Sequence, residues 1–269
     1  MTILFYSILI LGGMGILFGI ILAIASQKLA VKVNPKVWEI ERALPGLNCG
    51  ACGYPSCAAY AKAVFEGEKT NLCKPGREKT ASRISQISGR SFDNNSNHNT
   101  VAQVRCNGGC NETTIKFEYK GIKNCRAASL VNDGYKNCNY SCLGFGDCVK
   151  VCPVDAIKMS DNHLPIISKE ICIGCGKCVT ECPKGIIRLT PKKSRVHVRC
   201  SSINKGKLVV QFCKVGCIGC KKCEVECPFD AIHIKDDLAM IDYTKCTSCQ
   251  KCVKVCPRKI ITVDQLQHI

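Results

Sequence analysis

Aromatic side chains are scarce in this 269-residue chain, at 6% with a single tryptophan, and acid is short as well, with 21 Asp and Glu against 38 Lys and Arg. Rings supply much of the apolar area of a large interior, so one big aromatic core is excluded. Several small modules, each stapled by something other than apolar burial, fit better. No G-x-G-x-x-G follows a strand-like run and no Walker-type loop occurs, so the chain offers no recognisable nucleotide or flavin site. Its five histidines, His98, His163, His197, His233 and His268, lack any spacing suited to metal or base chemistry and read as solvated or strand-edge residues. The lysines are scattered and neither a helix-turn-helix nor an aromatic-studded sheet is visible, which argues against nucleic acid as the partner of the basic charge.

Cysteine is what the chain has in excess, with 25 residues. Cys217, Cys220, Cys223 and Cys227-Pro228 are followed by Cys246, Cys249, Cys252 and Cys256-Pro257. Each half is C-x2-C-x2-C-x3-C-P, the spacing in which three thiolates wrap one 4Fe-4S cluster and the fourth reaches across to its neighbour. One cluster is then held by Cys217, Cys220, Cys223 and Cys256, the other by Cys227, Cys246, Cys249 and Cys252. Structural zinc needs four ligands in two pairs and accounts for neither the third cysteine of each run nor the proline. Disulfides fit the crowding poorly, and dense cysteine without a convincing secretion signal argues for a reducing compartment.

The formal charge is +17. Five clusters with their thiolates, at about −2 each, bring it to roughly +7, and a residual positive face suits an acidic partner.

Ile3 to Ala25 runs 23 residues without a charge, enough to cross a hydrocarbon core of about 30 Å at ~1.5 Å per residue. Lys28, Lys32 and Lys36 follow it and no Lys or Arg precedes it. The positive-inside rule therefore predicts a single-pass helix with its N-terminus outside and the remainder cytoplasmic. Ala23-Ile24-Ala25 has the look of a cleavage site, but the basic n-region is missing and the apolar run is too long. Gly12, Gly13, Gly15 and Gly19 give a small-residue face suited to another helix, and a simple anchor is the plainer alternative.

Downstream lies Cys49-Gly-Ala-Cys52-Gly-Tyr-Pro-Ser-Cys57, closed by Cys73, a set spaced for a single 4Fe-4S cluster. Gly50 and Gly53 permit tight turns, and Ser56 is placed to cap a helix through about Glu66. A helix is expected between Gly76 and Gly89, and residues 88–100, rich in Ser, Asn, Asp and His, read as a flexible linker that lets this domain swing.

The next octet is irregular. Cys138-x3-Cys142-x5-Cys148-x3-Cys152-Pro153 precedes the regular Cys172, Cys175, Cys178 and Cys182-Pro183. Crosswise ligation assigns Cys138, Cys142, Cys148 and Cys182 to one cluster, and Cys152, Cys172, Cys175 and Cys178 to the other. Each cysteine run leads into a short β-branched strand, at Ile157, Ile187, Ile232 and Ile261, with Leu164–Ile167 and Leu238–Ile241 as intervening strands. Five cysteines remain. Val104-Arg-Cys106 and Val198-Arg-Cys200 repeat, and each is followed by a further cysteine, Cys125 or Cys213. Cys106, Cys125, Cys200 and Cys213 can hold a sixth cluster or be inert buried thiols, with Cys110 left over.

The order of a transmembrane N-terminus, an NCGACGYPSC cluster domain and ferredoxin modules resembles the B subunit of the Rnf complexes, membrane-bound ion-translocating ferredoxin:NAD oxidoreductases. The resemblance covers essentially the whole chain. It implies an α+β protein: a transmembrane helix at 1–27, a small 4Fe-4S domain at 28–87, the linker at 88–100, and two ferredoxin-like two-cluster modules at 101–190 and 191–269, the first with an N-terminal strand extension. It further implies that the five clusters read from the cysteines, or six, carry electrons from soluble ferredoxin to other membrane subunits, which bind NAD and flavins and couple the flow to Na+ or H+ export. The chain then has no substrate-converting residues of its own. Lys205, Lys207, Lys214, Lys221 and Lys222 are candidates for docking ferredoxin. The iron-sulfur wire of a membrane hydrogenase or formate dehydrogenase is the alternative from the same chemistry, and a redox sensor the alternative from another class.

Overall fold

A computed structural model describes residues 2–29, 34–91 and 99–264. Helix α1 (Thr2–Leu29) is 28 residues long, about 42 Å at the usual helical rise. Its Leu9–Ser26 stretch has mean hydropathy 2.4 and none of it is buried. A helix that is apolar all round is suited to lipid or to other apolar helices. A methyl added at Gly12, Gly13, Gly15 or Gly19 would meet nothing within 4 Å, so the small-residue face is open.

Three helices build the next domain: α2 (Pro35–Ala43), α3 (Cys57–Glu66) and α4 (Arg77–Ser88). Asn34 caps α2 by accepting the Lys36 N–H at 3.0 Å, with Pro35 at the first helical position, where no amide is lost. Ser56 caps α3 by accepting the Ala59 N–H at 3.1 Å, and Gly89 ends α4 in the left-handed conformation. Ile40, Tyr60, Ala61, Val64 and Ile84 pack between them. The buried Tyr60 hydroxyl donates to the Lys69 carbonyl at 2.7 Å and accepts the Leu72 N–H at 3.1 Å, which fixes the chain leading to Cys73. Of the linker expected at 88–100, Ser88 belongs to α4 and Thr100 to the following strand; residues 92–98 lie outside the described residues.

The remainder repeats one plan twice. In the first copy come β1 (Thr100–Val104), α5 (Cys125–Leu130), α6 (Asp147–Lys150), β2 (Ile157–Met159), β3 (Pro165–Ile167), α7 (Lys177–Glu181) and β4 (Ile187–Pro191). In the second come β5 (Val196–Val198), α8 (Gly206–Phe212), α9 (Lys222–Val225), β6 (Ile232–Lys235), β7 (Leu238–Ile241), α10 (Lys251–Val255) and β8 (Ile261–Val263). Every sheet is an antiparallel pair: β1 with β4, β2 with β3, β5 with β8 and β6 with β7. The outer pairs match in register, Val104 opposite Ile187 and Val198 opposite Ile261. Just beyond them the Arg105 N–H donates to the Ile186 carbonyl and the Arg199 N–H to the Ile260 carbonyl, both at 2.7 Å. β-Branched residues at these positions pack the pleated faces into two small cores.

The two copies are stitched together. Thr113 bridges Cys213, the Thr114 N–H donates to the Phe212 carbonyl at 3.0 Å, and the Lys214 N–H donates to the Glu112 carbonyl at 2.9 Å. Ser201 Oγ donates to the Arg105 carbonyl at 2.9 Å. These bonds bring the segment before one cysteine-rich loop against the segment before the other.

Candidate iron-sulfur sites

The N-terminal thiols sit on a loop entering and leaving α3. Gly50 and Gly53 have φ of +72° and +93°, values that cost an L side chain but not glycine, and Asn48 accepts the Cys57 N–H at 2.7 Å. Cys49, Cys52, Cys57 and Cys73 line a space of about 310 Å³. Burial chiefly pushes the Cys73 thiol up to about 11; the Gly76 amide opposes this, and Cys57, Cys52 and Cys49 add to it.

In the second copy the thiols gather in two sets. Cys227, Cys246, Cys249 and Cys252 line a space of about 340 Å³ beside Phe229 and Ile241. Cys252 is pushed up to about 11 by burial, then by Cys246, Cys249 and Cys227. Cys223 is pushed up to about 12 by burial, then by Cys217, Cys220 and Cys256. In the first copy burial raises Cys178 to about 12, with Cys172, Cys175, Cys148 and Cys152 next. The chain supplies amide donors to the sulfurs at equivalent places: Ala156 N–H to Cys152 Sγ at 3.3 Å and Ala231 N–H to Cys227 Sγ at 3.4 Å.

Among the remaining thiols of the first copy the neighbours differ from the grouping expected from spacing. Cys148 is raised to about 12 by burial, then by Cys125 and Cys182. Cys142 is raised by burial, then by Cys106, with Cys125 contributing as well. Cys125 is raised by burial against backbone N–H groups of Asp147 and Phe145, and its charged neighbours are Asp147 and Cys182. Cys125 therefore stands with Cys142, Cys148 and Cys182, in the place expected for Cys138. The reason is local: Asn124 caps α5 by accepting the Ala127 N–H at 2.6 Å, and the Cys125 N–H donates to Asp147 Oδ2 at 2.7 Å, so the start of α5 is tied to the start of α6.

Cys138 lies elsewhere, in a space of about 310 Å³ shared with Cys106, Cys200 and Cys213. Burial pushes it up to about 11, opposed by the Tyr140 amide, and then come Cys106 and Cys213. Of the sixth group expected from sequence, Cys106, Cys200 and Cys213 line this space with Cys138, and Cys125 does not. A signal was present: Cys138-x3-Cys142 and Cys213-x3-Cys217 have the same spacing, so Cys138 is the counterpart of Cys213, and the thiol missing opposite Cys220 falls at Phe145.

All 25 thiols are free, and Cys110 is exposed. Among the described residues no three or more His, Cys, Asp or Glu side chains close onto a single metal ion. Four thiols gathered without closing onto a single ion, with amides aimed at sulfur, fit a cubane cluster better than tetrahedral zinc, whose Zn–S bonds of about 2.3 Å draw the sulfurs tightly together. Of the histidines, His197 differs from the solvated or edge reading. It is fully buried, contacting the Tyr243 hydroxyl at 3.0 Å and Asp264 Oδ2 at 2.9 Å.

Two family models agree with these positions. One described as "Putative Fe-S cluster" matches residues 44–75, and one described as "4Fe-4S dicluster domain" matches 135–187 and 216–261. Over 94% of its length the chain is 46% identical to the B subunit of the proton-translocating ferredoxin:NAD(+) oxidoreductase complex of Clostridium ljungdahlii, covering 92% of that protein. It belongs to the family of Rnf B subunits. Similar Rnf proteins include the B subunit of the ion-translocating oxidoreductase complex of Methanosarcina acetivorans, 41% identical over 97% of this chain and 98% of that one. The B subunit of the Na(+)-translocating ferredoxin:NAD(+) oxidoreductase complex of Acetobacterium woodii is 41% identical over 95% of this chain and 76% of that one.

Proposed function

We propose that this chain is the membrane-anchored iron-sulfur electron carrier of an Rnf-type complex, taking electrons from reduced ferredoxin and passing them to partner subunits that reduce NAD and translocate Na+ or H+. Carrying the proposal is the gathering of thiols in fours in the N-terminal domain and in both later modules. Five groups are assigned to 4Fe-4S clusters: Cys49, Cys52, Cys57 and Cys73; Cys125, Cys142, Cys148 and Cys182; Cys152, Cys172, Cys175 and Cys178; Cys217, Cys220, Cys223 and Cys256; Cys227, Cys246, Cys249 and Cys252. When bound, such clusters supply one-electron storage.

The chain's own residues set where electrons enter and how deep they run. Cys220 and Cys249 are exposed, so two groups of the second copy approach the surface. Lys205, Lys207, Lys214, Lys221 and Lys222 are all exposed there, next to the apolar Leu208, Val210 and Val225. Exposed lysines and apolar side chains on the same short segments suit brief docking of an acidic redox protein. At the other end, Cys49 is among the charges that raise the thiol of Cys175, after burial, which carries the path into the N-terminal domain. Helix α1 then holds that domain at the membrane, its N-terminus outside and the thiols on the cytoplasmic side, in the sense given by Lys28 and the lysines after it.

Membranes in which Cys249→Ala replaces the wild-type chain test the route. Ferredoxin-dependent NAD reduction should fall at least tenfold while dithionite still reduces the other clusters. An unchanged rate would send the electrons by another path.

A further inference from the structure

The four thiols between the two copies, Cys106, Cys138, Cys200 and Cys213, belong to none of the five groups assigned above. Their geometry repeats across the two copies. The Cys142 N–H donates to Cys106 Sγ at 3.4 Å, and the Cys217 N–H donates to Cys200 Sγ, also at 3.4 Å. Cys106 and Cys138 come from the first copy, Cys200 and Cys213 from the second, and all four are buried. The four line one pocket together, as the Cys49 to Cys73 thiols line theirs.

Charge around this space is unbalanced. Lys136 is 1% exposed, its Nζ donates to the Gly108 carbonyl at 3.3 Å, and among the described residues it forms no ion pair. Arg199 lines the same space and its Nε has no hydrogen-bond partner. A buried ammonium without a carboxylate is costly unless an anion lies beside it, and Arg199, whose charged neighbours are Cys106 first and then Asp264, adds positive charge on the same side. Four neutral thiols supply no anion. A cubane held by four thiolates, at about −2, does.

We infer that Cys106, Cys138, Cys200 and Cys213 hold a sixth 4Fe-4S cluster that joins the two ferredoxin modules, with Lys136 and Arg199 as its counter-charges. The inference rests on the iron-sulfur reading of the other groups and extends it. This bridge stands between the groups of the two modules: Cys142 neighbours Cys106, and Cys200 neighbours both Cys106 and Cys217. With it, one electron derived from ferredoxin leaves the group of Cys217, which is oxidised as the bridge is reduced. The bridge is reoxidised as the electron moves to the group of Cys142. No bond is made or broken and no proton need move.

Iron and acid-labile sulfide, counted on the full chain after anaerobic purification in its complex or reconstitution in detergent, test the site. Wild type and a Cys110→Ala control should hold about 24 irons, and Cys138→Ala and Cys213→Ala about 20 each. The double variant should also hold about 20, because both thiols serve one cluster. Loss of about eight irons in the double variant, a wild-type count near 20, or zinc in place of the lost iron would each overturn the inference. Absence of iron from the wild-type chain would instead overturn the iron-sulfur reading as a whole. Should the cysteine variants fold poorly, Lys136→Met keeps the question open to measurement. It should leave the iron count unchanged and shift one paramagnetic signal to lower potential; an unaltered set of potentials would contradict the assigned counter-charge.

Discussion

The thiol of Cys125 takes a hydrogen bond from the backbone N–H of Phe145, and Phe145 stands three residues after Cys142 as Cys220 stands three after Cys217. On the proposed grouping, a ligand missing from the loop of the first module is replaced by one from 20 residues upstream. Cys125→Ala should cost about four irons per chain. Adding Phe145→Cys should restore them, because the loop then reads C-x2-C-x2-C as in the second module. Phe145 packs on Tyr119 and Tyr135 at 5.7 and 5.8 Å, so the rescued chain should be less stable by about 1–3 kcal/mol. Failure of the double variant to regain iron would return the position to Cys138.

That exchange marks the limit of reading by spacing. The Ser56 cap and the short strands at Ile157 and Ile232 were legible, because local sequence decides them, and the eight thiols of the C-terminal octet lie on two compact loops, four of them gathered at one place. Cys125 was not, because its neighbours Cys142, Cys148 and Cys182 are brought to it by the tie between α5 and α6, a contact with no periodicity. The burial of His197 was likewise invisible, since it depends on Asp264 and Tyr243 from distant parts of the chain.

Asp264 gives a pH prediction. Burial works to raise its carboxyl, but the hydrogen bonds from His197 and Lys169 and their charges outweigh that, and the net direction is downward. A depressed carboxyl contributes stability above its unfolded value, about 3.9, and loses it as pH falls through the folded value. Asp264→Asn should therefore lower the stability of the anaerobic loaded chain at neutral pH by about 1–3 kcal/mol. The gap from wild type should hold down to about pH 5 and close only below about pH 4. Urea midpoints across that range are the measurement; a gap that closed on raising the pH from 6 to 8 would assign the contribution to the histidine instead.

The lysine face makes a salt prediction. Reversing Lys221 and Lys222 to Glu should raise the KM for ferredoxin about tenfold at low ionic strength, with the difference shrinking as salt screens the encounter. A difference indifferent to salt would point to a fold defect rather than to steering.

On α1, Gly15→Leu and Gly19→Leu should reduce recovery of the other membrane subunits with this chain several-fold, since bulk at an open small-residue face blocks close helix approach. Membrane attachment itself should be unaffected. Full recovery of the partners would leave α1 as an anchor alone.

Freeze-quench paramagnetic resonance on the intact complex, mixed anaerobically with reduced ferredoxin and NAD, tests the electron route most directly. Reduced-cluster signals that vanish from the Cys249→Ala complex should rise in the wild type before NADH accumulates, then fall as it forms. NADH appearing while those clusters stay oxidised would contradict it.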